Sequence, residues 1–286
     1  MRILIVCPAP RGSLRGNRLT AERWARILRS LGHRVTIATE FRSQPADLMI
    51  ALHAVRCARA VARARRMRSQ MPIVVALTGT ELYPNLQSRP TACRALDQAD
   101  RVIVLQPLAA KQLLPRWRRK LCVIYQSVSP TVRTLSRARA RPHALRVIVV
   151  GHLRAVKDPL RAAYAVRRLP RDSRIIVSHV GSALSESWHR RARRESDSNA
   201  RWKWLGEMSH PRTRRLIASS DLMVLSSRSE GGANVIGEAC VDGVPILTTA
   251  IDGCFGLLGN RYPGTFEVGD TGSTLTPDKS RATHTR

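Results

Sequence analysis

The chain has 286 residues, of which 43% are hydrophobic and 24% charged. That balance excludes wholesale disorder, and the length calls for two domains of ordinary size or one large α/β unit. Forty-nine Lys and Arg against 20 Asp and Glu leave a formal net charge of +29, which suits an anionic substrate.

Residues 2–7 form a continuous apolar run, the pattern of a strand covered on both faces of a parallel sheet. A loop rich in Gly, Pro and Arg follows and leads to a helix over 20–31, where apolar residues recur at 21, 24, 25, 28 and 31 and Gly32 ends the run. The same reading predicts strands at 34–39 and 47–52, a helix at 54–68, strands at 73–77 and 101–105, a helix at 107–114 and a strand at 121–125. Near Gln126 the apolar period is lost to Ser, Thr, Pro and Arg, the signature of a linker. The pattern restarts with a strand at 145–150, a loop at 151–159 and a helix through Leu169. Strands at 174–180, 202–205, 222–225 and 245–249 follow, with helices between them.

Strand and helix in that alternation imply crossover units. The expected fold class is α/β, two doubly wound Rossmann-like domains. The first covers 1–128, a linker 129–145, the second 146–271, and a tail 272–286. Such sheets bind ligands outside the carboxyl ends of their strands, so the cleft between the domains is the expected site.

Arginines at 56, 59, 63 and 66 make one helical stripe opposite Ala54, Ala58, Val61 and Ala62. Charge is spread in this way over every predicted helix while aromatics are 4%, so solvated faces are favoured over a nucleic-acid groove. No apolar run approaches the ~18 residues of a spanning helix, and the apolar stretch at the start is too short for an export signal. The six cysteines lie far apart without a Cys-x-x-Cys pair, so reduced thiols and a cytoplasmic location are expected.

The strongest motif is Ser226-Ser227-Arg228-Ser229-Glu230-Gly231-Gly232-Ala233-Asn234-Val235-Ile236-Gly237-Glu238-Ala239, directly after a predicted strand. Gly231 and Gly232 let a ligand approach the backbone, and a helix starting near Ala233 or Asn234 aims its N–H groups at an anion. Glu230 and Glu238 can accept hydrogen bonds from ribose or sugar hydroxyls.

With Ala239-Cys240-Val241-Asp242-Gly243-Val244-Pro245 behind it, this Glu-x7-Glu resembles the nucleotide-sugar motif of family 4 glycosyltransferases, which have the GT-B fold. Gly151-His152-Leu153-Arg154-Ala155-Val156-Lys157-Asp158-Pro159 is similar to their diphosphate loop. The resemblance implies that Gly151, Arg154 and Lys157 hold the diphosphate, that Glu238 binds ribose and Glu230 the sugar, and that Gly206 and Glu207 lie by the base. Ala233, Asn234 and Val235 complete the donor site, and Arg154, Lys157 and Glu230 are the implied catalytic residues.

Gly16-Asn17-Arg18-Leu19-Thr20-Ala21-Glu22-Arg23-Trp24-Ala25, Ile50-Ala51-Leu52-His53-Ala54, Leu77-Thr78-Gly79-Thr80-Glu81-Leu82-Tyr83, the phrase Glu230-Gly231-Gly232-Ala233-Asn234-Val235, Tyr262-Pro263-Gly264 and Gly269-Asp270-Thr271 resemble the selenosugar synthases of selenoneine biosynthesis. These join a sugar from a UDP-sugar, UDP-glucose or UDP-N-acetylglucosamine, to selenophosphate through a selenium–carbon bond. By that resemblance the partners are UDP-sugar and selenophosphate. The acceptor residues are Gly12, Gly16, Asn17, Arg18, His53, Thr78, Gly79 and Thr80, with Gly12 to Arg18 read as a loop before the first helix and Arg18 as the fixed charge. The competing reading of Arg18 is one more solvated arginine.

Two features depart from the pattern. Where these synthases tend to have aspartate after Thr-Gly-Thr, this chain has Glu81. Transferases of this fold normally continue into further helices after the region near Asp270, so a tail over 272–286 and a second domain cut short are expected. No Asp-x-Asp occurs, so no metal or other cofactor is expected and basic residues must meet the diphosphate. His53 reads equally as a substrate contact or a structural histidine, His152 as a loop residue, and Trp188, Trp202 and Trp204 as packing. Two other readings stand beside this one: a family 4 transferase with an ordinary sugar or lipid acceptor, and a nucleic-acid-binding protein on a degenerate transferase fold.

Overall fold

The computed structural model describes residues 1–13, 16–131 and 144–272. Most of the expected linker and tail, residues 132–143 and 273–286, lies outside the described residues. The chain divides into two compact units, Met1–Gln126 with Glu230–Gly232, and Ser127–Ser229 with Ala233–Arg286.

In the first unit, strands β1 (Arg2–Val6), β2 (Arg34–Ala38), β3 (Leu48–Leu52), β4 (Ile73–Leu77), β5 (Arg101–Val104) and β6 (Leu121–Val123) form a sheet in the order β2-β1-β3-β4-β5-β6. Every pairing is parallel. Helices α1 (Gly16–Ser30), α2 (Ala58–Met67), α3 (Pro90–Gln98) and α4 (Pro115–Arg118) carry the crossovers. Alternate residues of β1, β3, β4 and β5 feed two cores, which is why these strands read as unbroken apolar runs. Leu4, Val6, Met49, Val75 and Leu77 face Val61, Ala64, Ala92, Leu96 and Trp117, while Ile3, Ile5, Leu52 and Ala76 face Ala21 and Ala25 of α1.

The second unit repeats the plan. Strands β7 (Leu145–Val150), β8 (Ile175–Val180), β9 (Trp202–Trp204), β10 (Leu222–Leu225), β11 (Ile246–Thr249) and β12 (Thr265–Phe266) pair in parallel in the order β12-β11-β10-β7-β8-β9. Helices α5 (Arg161–Arg167), α6 (Glu186–Ser198), α7 (His210–Ser219), α8 (Asn234–Val241) and α9 (Asp252–Leu258) flank it. Trp202 is fully buried in its core, and Trp188 and Trp204 pack against that core.

Several expected elements are corrected. The first helix begins at Gly16 rather than residue 20, so Gly16, Asn17 and Arg18 form its opening turn and not a loop before it. The helix expected from residue 54 starts at Ala58, because His53 takes a left-handed backbone with φ 96° and turns the chain first. Residues expected as a helix over 107–114 form a 3-10 helix at Pro107–Gln112. Arg56, Arg59, Arg63 and Arg66 are all exposed while Ala60, Val61 and Ala64 are buried, so this stripe is a solvated face. Among the described residues, no helix is long and apolar enough to cross a membrane.

Candidate functional site

In the second unit, the loop after β7 is tied down from three sides. Gly151 N–H donates to the Val180 carbonyl (2.9 Å), and Arg228 N–H donates to that of Val156 (2.8 Å). The Ser226 hydroxyl reaches the carbonyls of Lys157 (3.2 Å) and Asp158 (2.9 Å). The loop bearing Arg154 and Lys157 is thereby laced to the loop after β10. Lys157 closes a 3-10 helix, Ala155–Lys157, and its stem lies 3.7 Å from where a side chain on Gly151 would begin.

His179 on β8 supports the loop from beneath. It is fully buried, and its Nε2 lies 2.9 Å from the Gly151 carbonyl. A carbonyl only accepts, so Nε2 carries the hydrogen. Burial holds the ring neutral, lowering its pKa to about 4. A side chain at Gly181 would collide with the Gly151 carbonyl, and Gly181 N–H donates to the Gly206 carbonyl (2.8 Å). Gly151, Gly181 and Gly206 are thus neighbours at the carboxyl edge of the sheet. An open cleft of about 510 Å³ lies there, lined by Ser182, Ser185, His189, Trp204, Gly206 and Glu207 among others. His152 turns its Nδ1 to the Ser182 N–H (3.2 Å) and hydroxyl (2.8 Å), a loop role.

Helix α8 follows β10, with Ala233 as its cap and Asn234 and Val235 in its first turn. Glu238 is buried, and its Oε1 lies 2.9 Å from Nε2 of His210 at the start of α7. Glu230, also buried, groups with Gly231 and Gly232 in the first unit. Just past α8, Asp242 accepts the Thr131 N–H and hydroxyl (both 2.9 Å) and the Arg214 guanidinium (2.9 Å).

In the first unit, the Thr78 hydroxyl reaches Asn17 Oδ1 (2.9 Å), which joins the end of β4 to the first turn of α1. Arg18 is buried and its Nε donates to Glu22 Oε1 (2.7 Å), one turn along the helix. It is therefore not a solvated arginine, and part of its charge is already engaged. Gly12 has φ 81°, with open space where a side chain would stand. Thr80 opens a 3-10 helix, Thr80–Leu82.

His53 follows β3. Its Nδ1 accepts the Arg56 N–H (3.3 Å), so the ring hydrogen sits on Nε2, which faces Glu81 Oε2 at 3.5 Å. Glu81 is 1% exposed and neither of its oxygens has a hydrogen-bond partner of good geometry. A side chain on Gly79 would stand 2.6 Å from Glu81 Oε2, so glycine there makes room for the carboxylate. Burial pushes the Glu81 pKa up to about 7, only moderated by nearby backbone N–H groups and Arg89. Burial, with Arg56 and Arg89, lowers that of His53 to about 4.

The structure therefore gathers Gly151, Lys157 and Gly206 with the loop after β10, and separately Asn17 with Thr78 and His53 with Gly79. Sequence reasoning passed over His179, His210 and Asp242, and noted Glu81 only as standing where aspartate is usual. Among the described residues, no group of three or more His, Cys, Asp or Glu is disposed to hold a metal ion.

Residues 136–271 match the family Glycosyl transferases group 1. Among curated proteins, none matches the chain. Among solved structures, HepE of Anabaena in complex with UDP is similar at 19% identity over 95% of this chain and 87% of that one, with a TM-score of 0.71. Sucrose-phosphate synthase of Thermosynechococcus elongatus is similar at 13% identity over 94% and 86%, with a TM-score of 0.76. A glycosyltransferase of Rickettsia africae follows at 15% identity over 95% and 85%, with a TM-score of 0.72. The two parallel-sheet Rossmann-like domains are those of the GT-B fold.

Proposed function

We propose that the chain is a glycosyltransferase that takes its sugar from a UDP-sugar whose UDP part is bound by the second unit. The observation that carries this reading is the lacing of the Arg154–Lys157 loop to the loop after β10, within the residues that match a glycosyltransferase family. HepE of Anabaena, which shares the fold, was also solved with UDP-glucose. Arg154, Lys157 and the amino end of α8 meet the diphosphate and stabilise charge as it leaves. Glu238 accepts hydrogen bonds from the ribose and Glu230 from the sugar. The cleft at Gly206 and Glu207 receives the base.

The double variant Arg154→Ala, Lys157→Ala is expected to bind UDP about 30-fold more weakly, roughly 2 kcal/mol, because two charged donors are lost. Uridine, which lacks the diphosphate, should lose less than about twofold by calorimetric titration. Equal losses for both ligands would mean that the substitutions only damage the fold.

The acceptor assigned by this reading is selenophosphate, bound by the first unit. Its selenium attacks the anomeric carbon, a Se–C bond forms, the C–O bond to UDP breaks and UDP departs. The acceptor is its own nucleophile, so catalysis is positioning and leaving-group stabilisation. What supports it is the run of matching phrases at 16–25, 50–54 and 77–83 and an anion-favouring helix end at Gly16 beside the Asn17–Thr78 bond. Because Glu22 takes Nε of Arg18, the Nη groups remain the donors through which Arg18 would hold the anion.

The test is incubation with UDP-glucose or UDP-N-acetylglucosamine and selenophosphate, following selenosugar by mass spectrometry. Product from the native chain that is lost in Arg18→Ala, with UDP binding intact, is the expected result. Sugar transfer to a hydroxyl acceptor with no selenosugar would leave only the broader transferase reading.

A further inference from the structure

His210 and Glu238 stand on two helices locked together by packing. Ile217 of α7 shares a buried cluster with Ile236 and Ala239 of α8. His210 is the first residue of α7, with Pro211 behind it and Thr213 N–H bonded back to the Ser209 carbonyl (2.9 Å). Both backbones are therefore fixed before their side chains meet. A carboxylate oxygen only accepts, so His210 donates from Nε2 to Glu238 Oε1 across 2.9 Å. The Glu238 side chain is 3% exposed and that of His210 32%, so the imidazole is the solvent-facing member of the pair. It also directly follows the 205–209 segment that begins at the Gly206 and Glu207 cleft.

We infer that His210 is a positioning residue for the nucleotide, holding the Glu238 carboxylate in the orientation in which it meets the donor. The inference rests on the proposed role of Glu238 at the ribose. A glutamate has three rotatable bonds, and a carboxylate already fixed gives up less freedom when a ligand arrives. Truncating His210 returns that freedom and removes a charge-assisted bond from a buried oxygen. The helix end itself needs no imidazole, since Ser209 and not His210 stands at the cap position of α7. The carboxylate is the feature that accounts for a histidine there.

The experiment is a double-mutant cycle read by calorimetric titration with UDP, with the melting temperature of every variant recorded. Glu238→Gln should weaken UDP at least about tenfold and His210→Ala about five- to tenfold. The double variant should bind within about twofold of Glu238→Gln alone, because His210 acts through the carboxylate. His210→Gln, whose amide can donate to the same oxygen, should recover most of the affinity. A purely structural histidine would give additive losses and no such rescue, and that result overturns the inference. Native affinity in His210→Ala with weakened binding in Glu238→Gln overturns it alone. Native affinity in both variants removes the ribose role of Glu238 as well. Should Glu238→Gln melt early, Glu238→Asp, which withdraws the carboxylate by one methylene, takes its place.

Discussion

Asp242→Ala is expected to remove about 3–5 kcal/mol of stability, the usual effect of stripping one partner from a buried ion pair. Asp242 and Arg214 have side chains 1% and 9% exposed and meet at 2.9 Å. The carboxylate accepts three donors, two from Thr131 and one from Arg214, and Arg214 also donates to the Ser129 carbonyl (3.1 Å). Alanine would leave a buried guanidinium whose Nε already lacks a partner, together with two unsatisfied groups on Thr131. Burial alone would raise the Asp242 pKa, but the Thr131 N–H, the Arg214 guanidinium and the Thr131 hydroxyl outweigh it and hold it below the ordinary 3.8. Its contribution is therefore present above that value and lost as pH falls below it. Urea unfolding at pH 7 measures the effect, and a loss under about 1 kcal/mol would mean that the pair is balanced by its own desolvation. Replacing both residues with Leu and Met should cost less than Asp242→Ala, because no charge is then stranded.

Asp242 also shows where sequence reading stops. It lies in the phrase that carries the family resemblance, yet nothing in the motif says that it anchors the chain at 129–131. A signal was present: an acidic residue just past α8 opposes the helix dipole, and acids are scarce in a chain of net charge +29. Strands β1, β3, β4, β5 and β10 were legible because they are buried almost throughout, which writes each as one apolar run, whereas the two-residue β12 was not read. Helix α3 was not, because its buried face is Ala92, Ala95 and Leu96, and small alanines give a weak period. Gly253 and Gly256 hid α9 in the same way. The first turn of α1 is Gly16, Asn17, Arg18 and Leu19, too polar to extend the apolar period that begins at Ala21. The Arg18–Glu22 pair was readable from its i,i+4 spacing. At the site, glycine loops and Glu-x7-Glu follow from local spacing, whereas His179, His210 and Glu81 acquire meaning only when strands and helices far apart in sequence are packed together.

Glu81→Gln is expected to stabilise the protein by about 3 kcal/mol at pH 8 while leaving it nearly unchanged near pH 4.5. The Glu81 pKa rises from the ordinary 4.5 to about 7 on folding, so the folded state prefers the protonated acid. An acid raised in this way contributes stability that is full below 4.5 and is lost as pH climbs through 7. Above that point the native chain carries a buried carboxylate that Arg89 only partly offsets, while His53, 3.5 Å away, stays neutral because its own pKa lies at about 4. Glutamine has the same shape, is neutral at every pH, and presents its amide to the same surroundings. Its unpaired amide resembles the unpaired acid it replaces, so little is lost at low pH. His53 and His179 slope the other way, losing their contribution as pH falls from 6.5 through about 4. That slope is common to both proteins and cancels when variant and native are compared at each pH. Chemical denaturation from pH 5 to 8 provides the comparison. Curves that stay parallel would show that the carboxylate is satisfied in solution, and that Gly79, which makes room for it, serves some other end. Diverging curves would fix Glu81 as a residue retained at a cost to stability, beside Gly79 and His53 where the acceptor is proposed to bind.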